Sequence, residues 1–286
     1  MSDFEVIRVE GLTKAYTETV AVDGISFSVS KGEVVGFLGP NGAGKTTTLK
    51  MLTCFMPATA GTASINGYDI STQSIRVRRS IGYLPENNPL YEEMRVAEYL
   101  RFRAALKWVR WSQRRRNVDE ALAQCGLTDV THRTIGQLSK GYRQRVGLAD
   151  TLVGDPPVLI LDEPTAGLDP QQIVEVRELI KRLSEVKTIL LSTHYLPEVE
   201  QTCDRVIVIN RGRIVLDDTV EHLRSAEEGS RTMEEVFMEA THGKTMPAPA
   251  AAGTEEEEEE GENEHEQEEE EEAGDGDGGE GEEGKK

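Results

Sequence analysis

The sequence has no long hydrophobic run. Its strongly apolar stretches, such as Val158 to Leu161 and Val206 to Ile209, are four residues long, against the ~20 that a membrane-spanning helix requires. The opening residues Met1-Ser2-Asp3-Phe4-Glu5 lack the basic and apolar segments of a secretory leader, so none is expected. Cysteine is scarce. Cys54, Cys125 and Cys203 are far apart and odd in number, which excludes a zinc motif and predicts reduced core thiols in a cytosolic protein. Excess charge is missing from most of the chain. The formal net charge is −20 over 286 residues, but residues 247–286 hold 19 acids against two lysines, a net −17. The other 246 residues carry 33 acids against 30 basic residues, a net −3. That balance gives no reason to expect a nucleic-acid partner. The last segment also lacks large apolar side chains. Behind the linker Pro247-Ala248-Pro249-Ala250 it is mainly Glu, Gly and Asp, cannot bury a core, and is expected to be disordered. His265 within it is isolated and is not read as a metal site.

What is present centres on Gly39-Pro40-Asn41-Gly42-Ala43-Gly44-Lys45-Thr46-Thr47, a complete match to the P-loop pattern G-x-x-x-x-G-K-[ST]. Before it, Glu33 to Leu38 reads as a buried strand. After it, Lys45 to Phe55 carries Leu49, Met51, Leu52 and Phe55 at roughly helical spacing. Strand, glycine-rich loop and helix are the context the motif needs. Glycines let backbone N–H groups turn toward a polyphosphate, and the helix N-terminus adds partial positive charge there. Lys45 is expected to reach the β- and γ-phosphates of ATP, and the Thr46 hydroxyl to ligate Mg²⁺.

Around this loop, residues 4–38 read as antiparallel strands, and Gly61 to Ile70 as a hairpin with Asn66-Gly67 at its tip. Ile81 to Leu84 reads as a short strand. From about 88 to 152 the pattern turns helical: Tyr99, Phe102, Leu106 and Val109 recur at steps of three and four residues, as do Val118, Leu122 and Cys125. The run Lys107, Arg110, Arg114, Arg115, Arg116 in this stretch is either a solvated helix face or a surface near anionic lipid. Val158 to Asp162 and Thr188 to Leu191 read as buried strands. Asp169-Pro170-Gln171-Gln172 reads as a helix start, with Asp169 as cap and Gln172 reaching back. Ile173, Val176, Ile180 and Leu183 mark one face of that helix. Val206 to Ile209 and Arg213 to Leu216 form a closing strand pair. Thr232-x-x-Glu235 is a capping box before a short helix in which Met233, Val236, Phe237 and Ala240 share a face. The fold class is α/β: a mostly parallel core sheet, an antiparallel β subdomain and a helical insert.

Asp162 sits where a buried strand emerges and is placed to hold Mg²⁺ through water. Glu163 follows at once and points the other way, where it can orient an attacking water as general base. With the P-loop, these residues resemble one family, the ATP-binding subunits of ABC transporters. The likeness runs from about Phe4 to Arg224. Leu138-Ser139-Lys140-Gly141-Tyr142-Arg143-Gln144 resembles the family's signature motif. Ala166-Gly167-Leu168-Asp169 resembles its D-loop, and His194 after Ser192-Thr193 its switch histidine. Tyr16 resembles the aromatic that stacks on adenine. Tyr83-Leu84-Pro85-Glu86 falls where the family has its Q-loop, with Glu86 in place of glutamine as a Mg²⁺ ligand. In the signature, Lys140 and Tyr142 replace the usual glycine and glutamine, while Ser139 and Gly141 remain. Both variants resemble the exporter branch called ABC-2.

The resemblance implies an ATP-hydrolysing subunit with a nucleotide-binding domain over 4–224, a short helical extension over 225–246 and the acidic tail over 247–286. It implies that His194 donates to the γ-phosphate. It implies that Ser139 and Gly141 contact ATP bound to a second copy arranged head-to-tail. It implies a separate integral-membrane permease, docked at the helical insert and Glu86 to Glu92, that holds the subunit on the cytoplasmic face of the plasma membrane. The alternative class is a soluble ABC ATPase acting on ribosomes or DNA. Those members resemble two such domains in one chain or carry long coiled coils, and neither feature is present.

Overall fold

A computed structural model describes residues 5–227 and 233–242. In chain order it runs β1 (Glu5–Ala15), β2 (Val20–Ser30), β3 (Val34–Leu38), α1 (Lys45–Leu52), β4 (Ala60–Ile65), β5 (Tyr68–Asp69), α2 (Ser74–Ser80) and β6 (Ile81–Leu84). Then come α3 (Val96–Leu106), α4 (Trp111–Gln124), α5 (Lys140–Leu152), β7 (Val158–Asp162), α6 (Pro170–Ser184) and β8 (Thr188–Thr193). The chain continues through α7 (Leu196–Thr202), β9 (Arg205–Asn210), β10 (Arg213–Thr219), α8 (Val220–Glu227) and α9 (Met233–His242). The acidic tail and the expected cap Thr232 lie outside the described residues.

The strands form two sheets. One is four-stranded and antiparallel, in the order β2-β1-β4-β5. The other has six strands in the order β10-β9-β3-β8-β7-β6 and is parallel except for the edge pair β9 and β10. The antiparallel reading of residues 4–38 therefore holds for β1 and β2. β3 belongs to the parallel sheet instead. Its five residues and those of β7 are buried throughout, as expected for parallel strands covered on both faces.

The parallel sheet separates two cores, and strand alternation does the sorting. Val34, Leu38, Leu159, Leu161, Ile189 and Leu191 point into the core shared with α3 to α7. Val35, Phe37, Ile160, Leu190, Ile207 and Ile209 point into the core shared with α1 and the antiparallel sheet. Four expected core positions are corrected. α1 stops at Leu52 and leaves Phe55 74% exposed. On α3 the inward face is Val96, Tyr99, Leu100 and Ala104, and Phe102 and Leu106 face outward. Cys125 and Cys203 are buried, but Cys54 is only half-buried. Phe237 on α9 packs against the first core.

Candidate active site

The P-loop leaves β3 at Leu38 and enters α1 at Lys45. Gly44, the residue that caps α1, has φ +111, and a Cβ there would come 2.6 Å from the Ala21 carbonyl. Only glycine meets both demands, so the loop packs directly on β2. Asn41, Gly42, Ala43, Gly44, Lys45, Thr46 and Thr47 line a cleft of about 370 Å³ with Ala21, Glu86, Glu163, Ala166 and His194. The cleft lies off the ends of β3 and β7, the usual place for ligands in an open α/β sheet.

Lys45 is 6% exposed. Its ammonium donates to the carbonyls of Gly39 (2.7 Å) and Pro40 (3.3 Å) and lies 3.8 Å from Glu163 Oε1. Burial holds its pKa below the ordinary lysine value, and Glu163, Asp162 and Glu86 pull it back up. Asp162, fully buried at the end of β7, accepts from the Ser192 hydroxyl at 2.7 Å and faces the Thr46 hydroxyl at 3.4 Å. Its second oxygen, Oδ2, is buried with no protein partner. A hydroxyl beside an unpaired carboxylate oxygen at the foot of a phosphate cradle is an oxygen donor set that suits a hard divalent cation. Thr46 and Asp162 thus come together as expected, and exposed Glu86 lines the same cleft.

Glu163 turns away from Asp162 because its backbone adopts φ +50, a conformation uncommon for a side chain of this size. Its amide donates to the Ser192 carbonyl across to β8 (3.0 Å). Glu163 Oε2 lies 2.9 Å from His194 Nδ1. An ionised carboxylate only accepts, so Nδ1–H donates to it and Nε2 stays available for another partner.

Ser139 caps α5, its hydroxyl accepting from the Tyr142 amide at 3.4 Å. Gly141 is buried against the Gln172 side chain, where a Cβ would come 2.5 Å from the amide carbon. Neither Ser139 nor Gly141 lines the cleft of its own chain. Tyr16 does not line it either. It is 48% exposed, with its hydroxyl 3.5 Å from Met56 Sδ and the Lys14 ammonium 5.5 Å from its ring. Asp169 caps α6 by accepting from the Gln172 amide, while the Gln172 side chain packs on Gly141. Ser192 and Ala21 were not singled out from the sequence. No spacing rule reaches either of them, because both arrive through strand pairing.

Comparison with known proteins agrees with this geometry. A family model described as ABC transporter matches residues 22–166. The daunorubicin resistance ATP-binding protein DrrA3 of Streptomyces coeruleorubidus is 37% identical over 235 residues, 82% of this chain and 74% of that protein. The Nod factor export ATP-binding protein I of Ralstonia nicotianae is 37% identical over 244 residues, 85% of this chain and 74% of that protein. Among solved structures, a bacterial ABC transporter cassette determined as a dimer is 26% identical. It covers 75% of this chain and 98% of its own, with a TM-score of 0.68.

Proposed function

The chain belongs to the ABC transporter family as an ATP-binding, ATP-hydrolysing subunit, and from that premise we propose that it powers a separate permease of the exporter type. The P-loop amides and Lys45 hold the phosphates of ATP. Thr46, Asp162 acting through water, and Glu86 would hold Mg²⁺, which would supply neutralisation of the phosphate charge. Glu163 takes the proton of the attacking water. His194 holds Glu163 through Nδ1–H and donates from Nε2–H to the γ-phosphate. One observation carries this assignment: the 2.9 Å contact between Glu163 and His194 within the cleft that Lys45 and Thr46 line.

Glu163→Gln tests it. The amide keeps the shape and removes the proton acceptor, so ATP hydrolysis should fall about 10²–10⁴-fold with ATP affinity retained. Near-normal hydrolysis by this variant would remove Glu163 from the role of base.

Ser139 and Gly141 serve a second copy arranged head-to-tail. Two observations support this: neither residue lines its own cleft, and a similar cassette is a dimer. No helix among the described residues is long and apolar enough to cross a membrane. A transport function therefore requires a membrane-embedded partner, which would hold this subunit peripherally on the cytoplasmic face. Residues 4–224 are assigned as the nucleotide-binding domain, 225–246 as its extension and 247–286 as an acidic tail.

A further inference from the structure

Glu198 and Asp162 are the two carboxylates with no exposed surface among the described residues. Asp162 has a role in the site above. Glu198, in the first turn of α7, has none assigned. Its Oε1 accepts from the Thr165 hydroxyl at 3.0 Å. Its Oε2 is buried and unpartnered. Arg177 on α6 is the cation facing it, and that guanidinium donates to Gln201 at 2.8 Å. Burying a carboxyl this deeply is costly, so the donor that fixes it is informative.

Thr165 lies two residues after Glu163, and Glu198 lies four residues after His194. The Glu198 amide donates to the Tyr195 carbonyl at 3.1 Å, and the Tyr195 amide donates to the Thr193 hydroxyl at 3.1 Å. The turn that carries His194 is therefore closed onto the start of α7. We propose that Glu198 is a positioning residue for ATP hydrolysis. By tying Thr165 to this turn it fixes the separation between Glu163 and His194. This rests on the roles proposed above for those two residues.

The test is steady-state ATPase kinetics on the full chain. Glu198→Ala should lower kcat about 10- to 100-fold, as small misplacements of reacting groups do, with KM for ATP within about twofold. Glu198→Gln, whose amide oxygen can accept the Thr165 hydroxyl, should recover most of the loss. The deciding arm is the pair with His194→Ala. If Glu198 acts through His194, the double variant should be no slower than His194→Ala alone. Multiplying losses would overturn the proposal, as would a raised KM at unchanged kcat. Thr165→Val keeps the shape and removes the hydroxyl that Glu198 accepts from, so it decides the matter if Glu198→Ala does not fold. It should lower kcat and add nothing to His194→Ala. Wild-type kcat in it would also overturn the proposal. A His194→Ala chain with wild-type kcat would overturn the catalytic assignment itself. A strong His194 effect with an independent Glu198 effect would overturn only the tie.

Discussion

Lys45 must exchange partners before it can bind phosphate. Its ammonium already has two carbonyl acceptors in its own loop, and phosphate oxygens have to replace them. Burial holds its pKa down, whereas an arriving polyanion favours the charged form. Nucleotide binding therefore prefers the protonated lysine. ATP affinity should be full below the folded pKa and fall as pH rises through it, toward the ordinary value of 10.5. Titration calorimetry from neutral to alkaline pH checks this. Lys45→Met should bind ATP weakly at every pH and lack the alkaline decline assigned to this residue. At this scale the sequence was most legible where one residue type does one job: the P-loop lysine, the strand-end aspartate and the glutamate after it. Three things were hidden. The positive φ of Glu163 is a property of the folded backbone. The donation from Ser192 depends on the pairing of Asp162 with Ser192 between β7 and β8. Tyr16 matched an aromatic position by spacing, but spacing does not set where a loop-end ring lies.

Among the elements, contiguous apolar runs were readable and short helices were not. β3, β7, β8 and β9 are contiguous apolar stretches that need no period to detect. α2, with only Val77 and Ser80 buried, and α7, with seven residues, are too short to show a helical repeat. On α3 the outward pair Phe102 and Leu106 keeps the same four-residue spacing as the inward pair Val96 and Leu100. Periodicity finds a stripe but not the side on which the core lies. The helical layer and the sheet meet closely at β6, where Gly82 faces α5. A Cβ there would come 2.6 Å from the Thr151 carbonyl and 2.9 Å from Leu159 Cδ2. The carbonyl belongs to the helix backbone and cannot swing aside. Gly82→Ala should therefore destabilise the fold by about 1–3 kcal/mol, the usual cost of overpacking, read as a lower denaturant midpoint with unchanged slope. α5 also begins at Ser139. The same substitution should lower ATPase activity more than ATP affinity if the signature end of that helix shifts.

For the whole molecule, the proposed head-to-tail dimer gives each chain two unlike halves of a site. Mixing Lys45→Ala chains with Ser139→Arg chains tests whether they complement each other. A mixed head-to-tail dimer puts both lesions in one composite site and leaves the other intact. Activity should recover partly over either variant alone. No recovery in dimers shown to be mixed would mean that each chain uses its own Ser139. The family and the α/β class were legible because the motifs are local. The way they assemble was not, because it depends on strand order. That order also sets a timetable. β3, which carries the P-loop, pairs on one side with β8 and on the other with β9, both made near the end of the described chain. As the ribosome delivers the protein, Val34 to Leu38 emerge early, apolar and without either neighbour. They wait for the α3 to α6 layer to be made first. Non-local parallel pairing of this kind is slow to form and exposed to misassociation meanwhile. A fragment ending before Thr188 should contain the complete P-loop and Asp162 and still fail to bind ATP in an equilibrium assay. Growth at lower temperature or co-expressed chaperones should raise the soluble yield of the full chain by protecting that interval.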